Sequence, residues 1–167
     1  EGVHLGQLLL HCKRSGIALP IELAVYIVAR AADGLHFAHE LRERGTGVPL
    51  RIVHRDVSPQ NLLISQEGDV KVADFGIAQR SETDGRTAPT AALGKLSYMS
   101  PEQAMGSELD RRSDIYSLGV VLYEILTGRP LVRVADQGAV IHQVIEEETP
   151  VPSRLAPDVD ATLDSIV

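Results

Sequence analysis

The sequence predicts an α+β fold, mostly helical with one small β-hairpin, and three observations carry that prediction. Leu23, Ile27, Ala31, Leu35 and Ala38 recur at the spacing of one helix face between Pro20 and about residue 43. Residues 114–127 are apolar nearly all round, the pattern of a helix buried in a core. Residues 62–65 and 70–73 are short β-prone runs, and the Gln66-Glu67-Gly68-Asp69 segment between them has turn chemistry. No internal repeat or low-complexity tract interrupts the chain, so it reads as one unit.

Taken in order, residues 5–13 read as a short helix, with a break at Gly16. Pro20 stands where the long helix begins. The small residues Ala31, Ala32, Gly34 and Ala38 predict that a second helix approaches it closely. A polar loop, residues 42–49, ends it, and residues 51–53 are extended before an irregular polar stretch, residues 54–61. After the hairpin, residues 76–99 have weak periodicity and much Ser, Thr, Gly and Ala, which reads as a long mobile loop. Pro101 opens a short helix through Met105, Gly128 and Pro130 stop the buried helix, and another helix is expected at about 136–147. Glu146, Glu147 and Glu148 then form a solvated helix end.

Composition sets outer limits. The chain has 167 residues, 44% of them hydrophobic, enough for a core, and 16 Lys+Arg against 23 Asp+Glu give a net charge of −7. An acidic balance argues against a nucleic-acid or anionic-membrane binder, which needs a basic stripe. The single Cys12 excludes an intrachain disulfide and a Cys-rich zinc site. Arg30 and Glu124 interrupt the longest apolar stretches, so no membrane segment is expected, and no signal-peptide pattern opens the chain. The expected location is the cytoplasm, with membrane anchoring of a longer protein left open. The chain starts at Glu1 without Met and stops inside an apolar pattern at Val167, so it reads as a piece of something longer.

The chemistry collects at one end of the hairpin. Asn61 immediately precedes the first strand and Asp74 immediately follows the second, so an antiparallel hairpin sets them side by side. An amide oxygen beside a carboxylate suits a hard cation such as Mg²⁺, which takes a few protein oxygens together with substrate phosphates. Asp56, five residues before Asn61, lies on the loop leading into the same mouth. Singly, each has a plainer reading: Asn61 a turn residue, Asp74 a turn cap before Gly76, Asp56 a loop acid. Their joint occurrence points to a site.

The neighbours of these three residues sharpen it. His54-Arg55-Asp56-Val57-Ser58-Pro59-Gln60-Asn61, then Asp74-Phe75-Gly76, then Ser100-Pro101-Glu102 resemble, in order and spacing, the catalytic loop, metal-binding turn and activation-segment end of protein kinases. Asp114-Ile115-Tyr116-Ser117-Leu118-Gly119 resembles the start of that family's buried central helix, and residues 20–39 the long helix before its catalytic loop. The wording is similar to that of bacterial, eukaryotic-type Ser/Thr kinases, and Pro59 favours the Ser/Thr branch over tyrosine kinases.

The resemblance implies a protein kinase-like fold in which residues 1–167 are a partial catalytic domain. They would form the mostly helical large lobe from just after the hinge, the small lobe preceding Glu1. It implies transfer of the γ-phosphate of ATP to Ser or Thr hydroxyls of protein substrates. Asp56 would orient the hydroxyl and accept its proton, and Asn61 and Asp74 would hold Mg²⁺. Leu63 would pack under the adenine, with His4 and Leu5 at the nucleotide's edge. His54 and Phe75 would belong to an internal hydrophobic stack, Gly76 to the metal-binding turn, and Asp114 would anchor the catalytic-loop backbone. Glu102 would pair with a late arginine beyond Val167. Arg55 beside the base implies control by phosphorylation of the loop, at Thr90 first and Thr87 second. A dimer through the small lobe is the assembly the resemblance suggests.

The sequence also departs from the family. Ser58 stands where Ser/Thr kinases carry a Lys two residues after the base, and Lys95, after Gly94, stands where they carry a Thr. Hydroxyl and ammonium look exchanged, so Lys95 is expected to supply the missing charge with Ser58 as its hydrogen-bond partner. The competing reading is a weakened kinase or a non-catalytic kinase-like binding module. Gly94-Lys95 is no P-loop, because Pro89 and Leu96 occupy the positions of its required Gly and Ser/Thr. The glycine-rich loop and the strand lysine of the small lobe are not in the chain, and the 42–49 connection is longer than the family's.

Overall fold

The computed structural model describes residues 1–75, 96–132 and 137–167. Its N-terminal strand β1 (Gly2–His4) leads straight into helix α1 (Leu5–Ser15). His4 and Gln7 make a reciprocal capping box at the start of α1, and Gly16, at φ 66°, closes it in the left-handed conformation that glycine adopts without strain. Helix α2 (Ile21–His39) follows Pro20. Its inner stripe is Ala24, Ile27, Ala31, Leu35 and Ala38, all buried, whereas Leu23 lies on the rim, 48% exposed. The helix also ends earlier than the apolar spacing suggests. Beyond Glu40 the backbone pairs across the following loop: Leu50 N–H donates to Leu41 C=O at 2.9 Å, Glu43 N–H to Val48 C=O at 2.9 Å, and Arg42 bridges to Pro49.

Strands β2 (Leu62–Ser65) and β3 (Val70–Val72) form the expected hairpin, and β1 adds to it as a third antiparallel strand in the order β1-β2-β3. The β1 register sets Gly2 opposite Ser65 and His4 opposite Leu63. A Cβ on Gly2 would stand 2.4 Å from Ile64 C=O, so glycine is needed for that approach. α2 lies on β3, and a Cβ on Gly34 would meet Val72 Cγ2 at 3.3 Å. The small residues of α2 therefore serve two neighbours, since Gly34 admits the sheet while the buried stripe also receives a helix.

That helix is α4. Helix α3 (Pro101–Ala104), capped by Ser100, precedes α4 (Arg111–Thr127), which is capped by Asp110 and closed by Gly128 at φ 65°. α4 starts three residues before the apolar run, so Asp110 does the capping and Asp114 is free for another role. Buried side chains surround α4, among them Ser113, Asp114, Leu118, Val121 and Ile125. The main core gathers Leu5, Ile27, Leu35, Val57, Leu62, Leu118 and Val121 from α1, α2, the 54–61 loop, β2 and α4. Helix α5 (Gln137–Glu146) contributes Val140 and Val144 to a smaller cluster with Val132. A 3₁₀ turn (Pro152–Arg154) and helix α6 (Ala161–Asp164), capped by Asp160, complete the described chain. No described helix is long and apolar enough to cross a membrane. The expected loop at 76–99 falls mostly outside the described residues, Gly76, Thr87, Thr90 and Lys95 with it.

Candidate active site

The hairpin brings its two ends together as its register requires. Leu62 pairs with Val72, and one step further out Ala73 N–H donates to Asn61 C=O at 2.8 Å. Asp74, the next residue, is exposed at the mouth with φ 56°. Asn61 is 4% exposed, and its Nδ2 donates both to Asp56 C=O at 2.7 Å and to Asp56 Oδ2 at 3.0 Å. The amide nitrogen is thus committed to the loop acid, which leaves the amide oxygen as the atom a cation would meet. Asp56, Asn61 and Asp74 share one mouth.

Below the mouth, the loop is tied to the core by buried polar groups. Asp114, 1% exposed, accepts His54 N–H on Oδ2 and Arg55 N–H on Oδ1, each at 2.8 Å. His39 Nε2 lies 2.7 Å from the same Oδ2. His54, fully buried, packs against Phe75 in a tilted pair with ring centroids 4.4 Å apart and has Nε2 2.9 Å from Ala73 C=O, while its Nδ1 accepts Asp56 N–H at 3.2 Å. One imidazole thereby joins the loop to the strand end that carries Asp74. Arg55 and Asp74 both take the left-handed backbone conformation, at φ 69° and 56°. For side-chain-bearing residues that conformation costs about 1–2 kcal/mol, so backbone and side-chain bonds must hold it.

Ser58 is 1% exposed, and its Oγ has no hydrogen-bond partner among the described residues. Glu102 Oε1 accepts the Ser113 hydroxyl at 2.5 Å. Burial pushes the Glu102 carboxyl up, but the bonds it accepts from Ser113, from its own backbone and from Ser100 outweigh that and hold it below the usual range. Tyr98 donates to Glu124 Oε2 at 2.5 Å, and burial, with the Glu124 charge and that bond adding to it, pushes the phenol far up. Among the described residues no cluster of three or more His, Cys, Asp or Glu side chains makes a metal cage. A donor set of one carboxylate and one amide fits Mg²⁺ held jointly with substrate phosphates.

The nucleotide-edge expectations divide. Leu63 is 44% exposed and His4 half-buried, and they pair across β1 and β2 to line a shallow cavity of about 490 Å³ with Val3 and Lys71. Leu5 is corrected: it has no exposed surface and belongs to the core, because the chain turns from β1 into α1 at that point. Ser97, one of the loop hydroxyls, is also buried, at 6% exposure. Two participants carry little signal in the sequence. His39 sits in the last turn of α2 and Gln103 on α3, and their bonds to the loop system cross 75 and 48 residues of chain. Only the Ser100-x-x-Gln103 capping pattern, a helix-start signal, marks the second.

Compared with known proteins, residues 1–166 match the family model described as the protein kinase domain. The chain belongs to the protein kinase family. It is 47% identical over 156 residues to the tyrosine-protein kinase MasK of Myxococcus xanthus, an alignment covering 93% of this chain and 24% of that protein. It is 44% identical over 146 residues to the serine/threonine-protein kinase PknB of Mycolicibacterium smegmatis, covering 86% and 22%. With PknB of Mycobacterium leprae it shares 41% over 150 residues, 89% and 23% of the two chains. The chain therefore spans about a quarter of the length of these curated relatives. The kinase resemblance read from the motifs is thus family membership, and the mostly helical architecture with its small sheet agrees with it.

Proposed function

We propose that the protein carrying this chain is an ATP- and Mg²⁺-dependent protein kinase, and that these residues supply its base and its metal ligands. The observation that carries the reading is the pair of hydrogen bonds that Asn61 Nδ2 donates to the backbone carbonyl and the carboxylate of Asp56, beside the strand end bearing Asp74. Asp56 orients the substrate hydroxyl and accepts its proton as that oxygen takes the γ-phosphoryl group. Asn61 and Asp74 hold the metal, whose charge neutralises the transferred phosphoryl group. Leu63 and His4 form the lower wall of the nucleotide cleft, and Arg55 is the partner of a phosphorylated loop threonine, Thr90 or Thr87.

The acceptor is a Ser or Thr hydroxyl in this reading. Pro59 in the catalytic loop and the PknB relatives support it, and the name of MasK supports tyrosine. Phosphate transfer from labelled ATP by the full-length protein, followed by phosphoamino-acid separation, decides between them. Asp56→Asn should lower the rate by about 10²–10⁴-fold. Undiminished transfer by that variant overturns the assignment of the base.

Ser58 and Lys95 belong to the same reading. A buried hydroxyl left unpaired costs about 1–3 kcal/mol, so a donor that reaches Ser58 Oγ, which has no partner among the described residues, is favoured. Lys95 is that donor in our reading, and it restores the positive charge that the catalytic loop lacks. Lys95→Ala in the full-length enzyme should lower kcat far more than it alters substrate affinity. An unchanged kcat would sink the exchange, and the absence of any transfer by the wild type would favour a non-catalytic binding module.

A further inference from the structure

The peptide unit that precedes Asp56 is gripped at both edges. Its N–H, on Asp56, donates to His54 Nδ1 at 3.2 Å, and its C=O, on Arg55, accepts Gln103 Nε2 at 2.8 Å. One unit earlier, Arg55 N–H is held by Asp114 Oδ1 at 2.8 Å. Between these two units lies Arg55 at φ 69°, so each neighbouring peptide plane is fixed by a side chain. His54 is part of the loop, and Asp114 grips from the core. Gln103 comes from α3.

The other bonds of Gln103 fix its orientation. Its Oε1 accepts Ser100 N–H at 3.0 Å, and its own N–H donates to Ser100 Oγ at 3.3 Å. Turning the amide over would set an NH₂ group against the Ser100 N–H and an oxygen against the Arg55 carbonyl, so only the bonded arrangement satisfies both sides. Capping alone does not require glutamine, since glutamate fills the same place in a capping box. Glutamate has no donor for the Arg55 carbonyl.

We propose that Gln103 is a positioning residue for the base. By clamping the Arg55 carbonyl it sets the plane of the Arg55–Asp56 peptide, and with it the direction of the Asp56 carboxylate. The aim of Asp56 thereby depends on α3 being seated against the catalytic loop. A displaced α3 withdraws the clamp even when Asp56, Asn61 and Asp74 are all in place. The inference rests on the phosphoryl-transfer reading given above, but the clamp can be measured without it.

Gln103→Glu separates the two roles, because it keeps the cap and removes the donor, whereas Gln103→Met removes both. In the full-length protein, both variants should keep the KM for ATP while kcat falls about tenfold or more, Gln103→Met showing that the fall does not need a new charge beside the Arg55 carbonyl. Hydrogen exchange at the Arg55 and Asp56 amides should accelerate in both variants. Unchanged kcat in both variants, or unchanged exchange at those amides, overturns the proposal. Should the wild type transfer no phosphate, the functional reading fails by itself and exchange decides the clamp: faster exchange upholds it, unchanged exchange overturns it.

Discussion

Asp114→Asn tests how the catalytic loop is held. The substitution keeps the shape of the side chain but turns one of two accepting oxygens into a donor. If the NH₂ replaces Oδ1 it confronts Arg55 N–H, and if it replaces Oδ2 it confronts both His54 N–H and His39 Nε2. The first arrangement loses fewer bonds. It removes a carboxylate hydrogen bond and leaves a buried N–H unpaired, at a cost of about 1.5–3 kcal/mol. The two bonds kept on Oδ2 then run to a neutral acceptor and weaken by roughly half, adding about 1 kcal/mol or more. Arg55 can leave φ 69° once released, which returns about 1–2 kcal/mol. The net loss is about 0.5–3 kcal/mol, and a chain of this size should lose roughly 1–12 °C in Tm. Thermal unfolding followed by far-UV circular dichroism measures it. A drop below about 1 °C would refute the view that this carboxylate restrains the loop.

Other outcomes follow from particular side chains. Leu35→Ala empties a fully buried site and should cost about 2–5 kcal/mol in denaturant unfolding, whereas Leu23→Ala, on the rim of the same helix, should stay within about 0.5 kcal/mol. Because Glu102 is held below its ordinary value of 4.5, its contribution is present above that pH and lost as pH falls through the folded value. Tm measured from neutral to acid pH should therefore fall more steeply for the wild type than for Glu102→Gln below about pH 4.5, and parallel curves would contradict this. Gly128→Ala forces a side chain into the left-handed cap of α4 and should lower unfolding stability by about 1 kcal/mol.

What the sequence made legible was local or directly geometric. α1, α2 and α4 follow from periodicity and from caps such as Gly16 and Gly128, whose conformations are close-range properties. The convergence of Asn61 and Asp74 was legible because the two ends of an antiparallel hairpin meet whatever surrounds them. β1 was not legible. Three residues carry no readable alternation, and Gly2, Val3 and His4 become a strand only by pairing with β2, some sixty residues away. The same holds for the grip on the loop. Asp114 suggested an anchor through family resemblance, but the bonds of His39 and Gln103 depend on packing among distant elements. Leu5 misled because an edge strand and a helix meet at that residue, and the helix turns its side chain inward.

The connection through residues 42–49 looks different once its own bonding is considered. Arg42 Nη1 donates to Gly47 C=O at 3.0 Å, Gly47 N–H to Glu43 C=O at 3.1 Å, and Thr46 Oγ1 to Glu43 Oε2 at 2.6 Å. With the bridge between Arg42 and Pro49 closing its base, the loop looks after its own polar groups. Adding residues at its tip, near Gly45, would raise the closure entropy only slowly, by about 0.6 kcal/mol for each doubling of length. The cinched base would keep that change from reaching Arg51 and the loop beyond it. Such a segment is a place where a lineage can lengthen, shorten or decorate its kinase without re-tuning the chemistry a few residues downstream. For the experimenter it is equally the place to graft a tag or a probe.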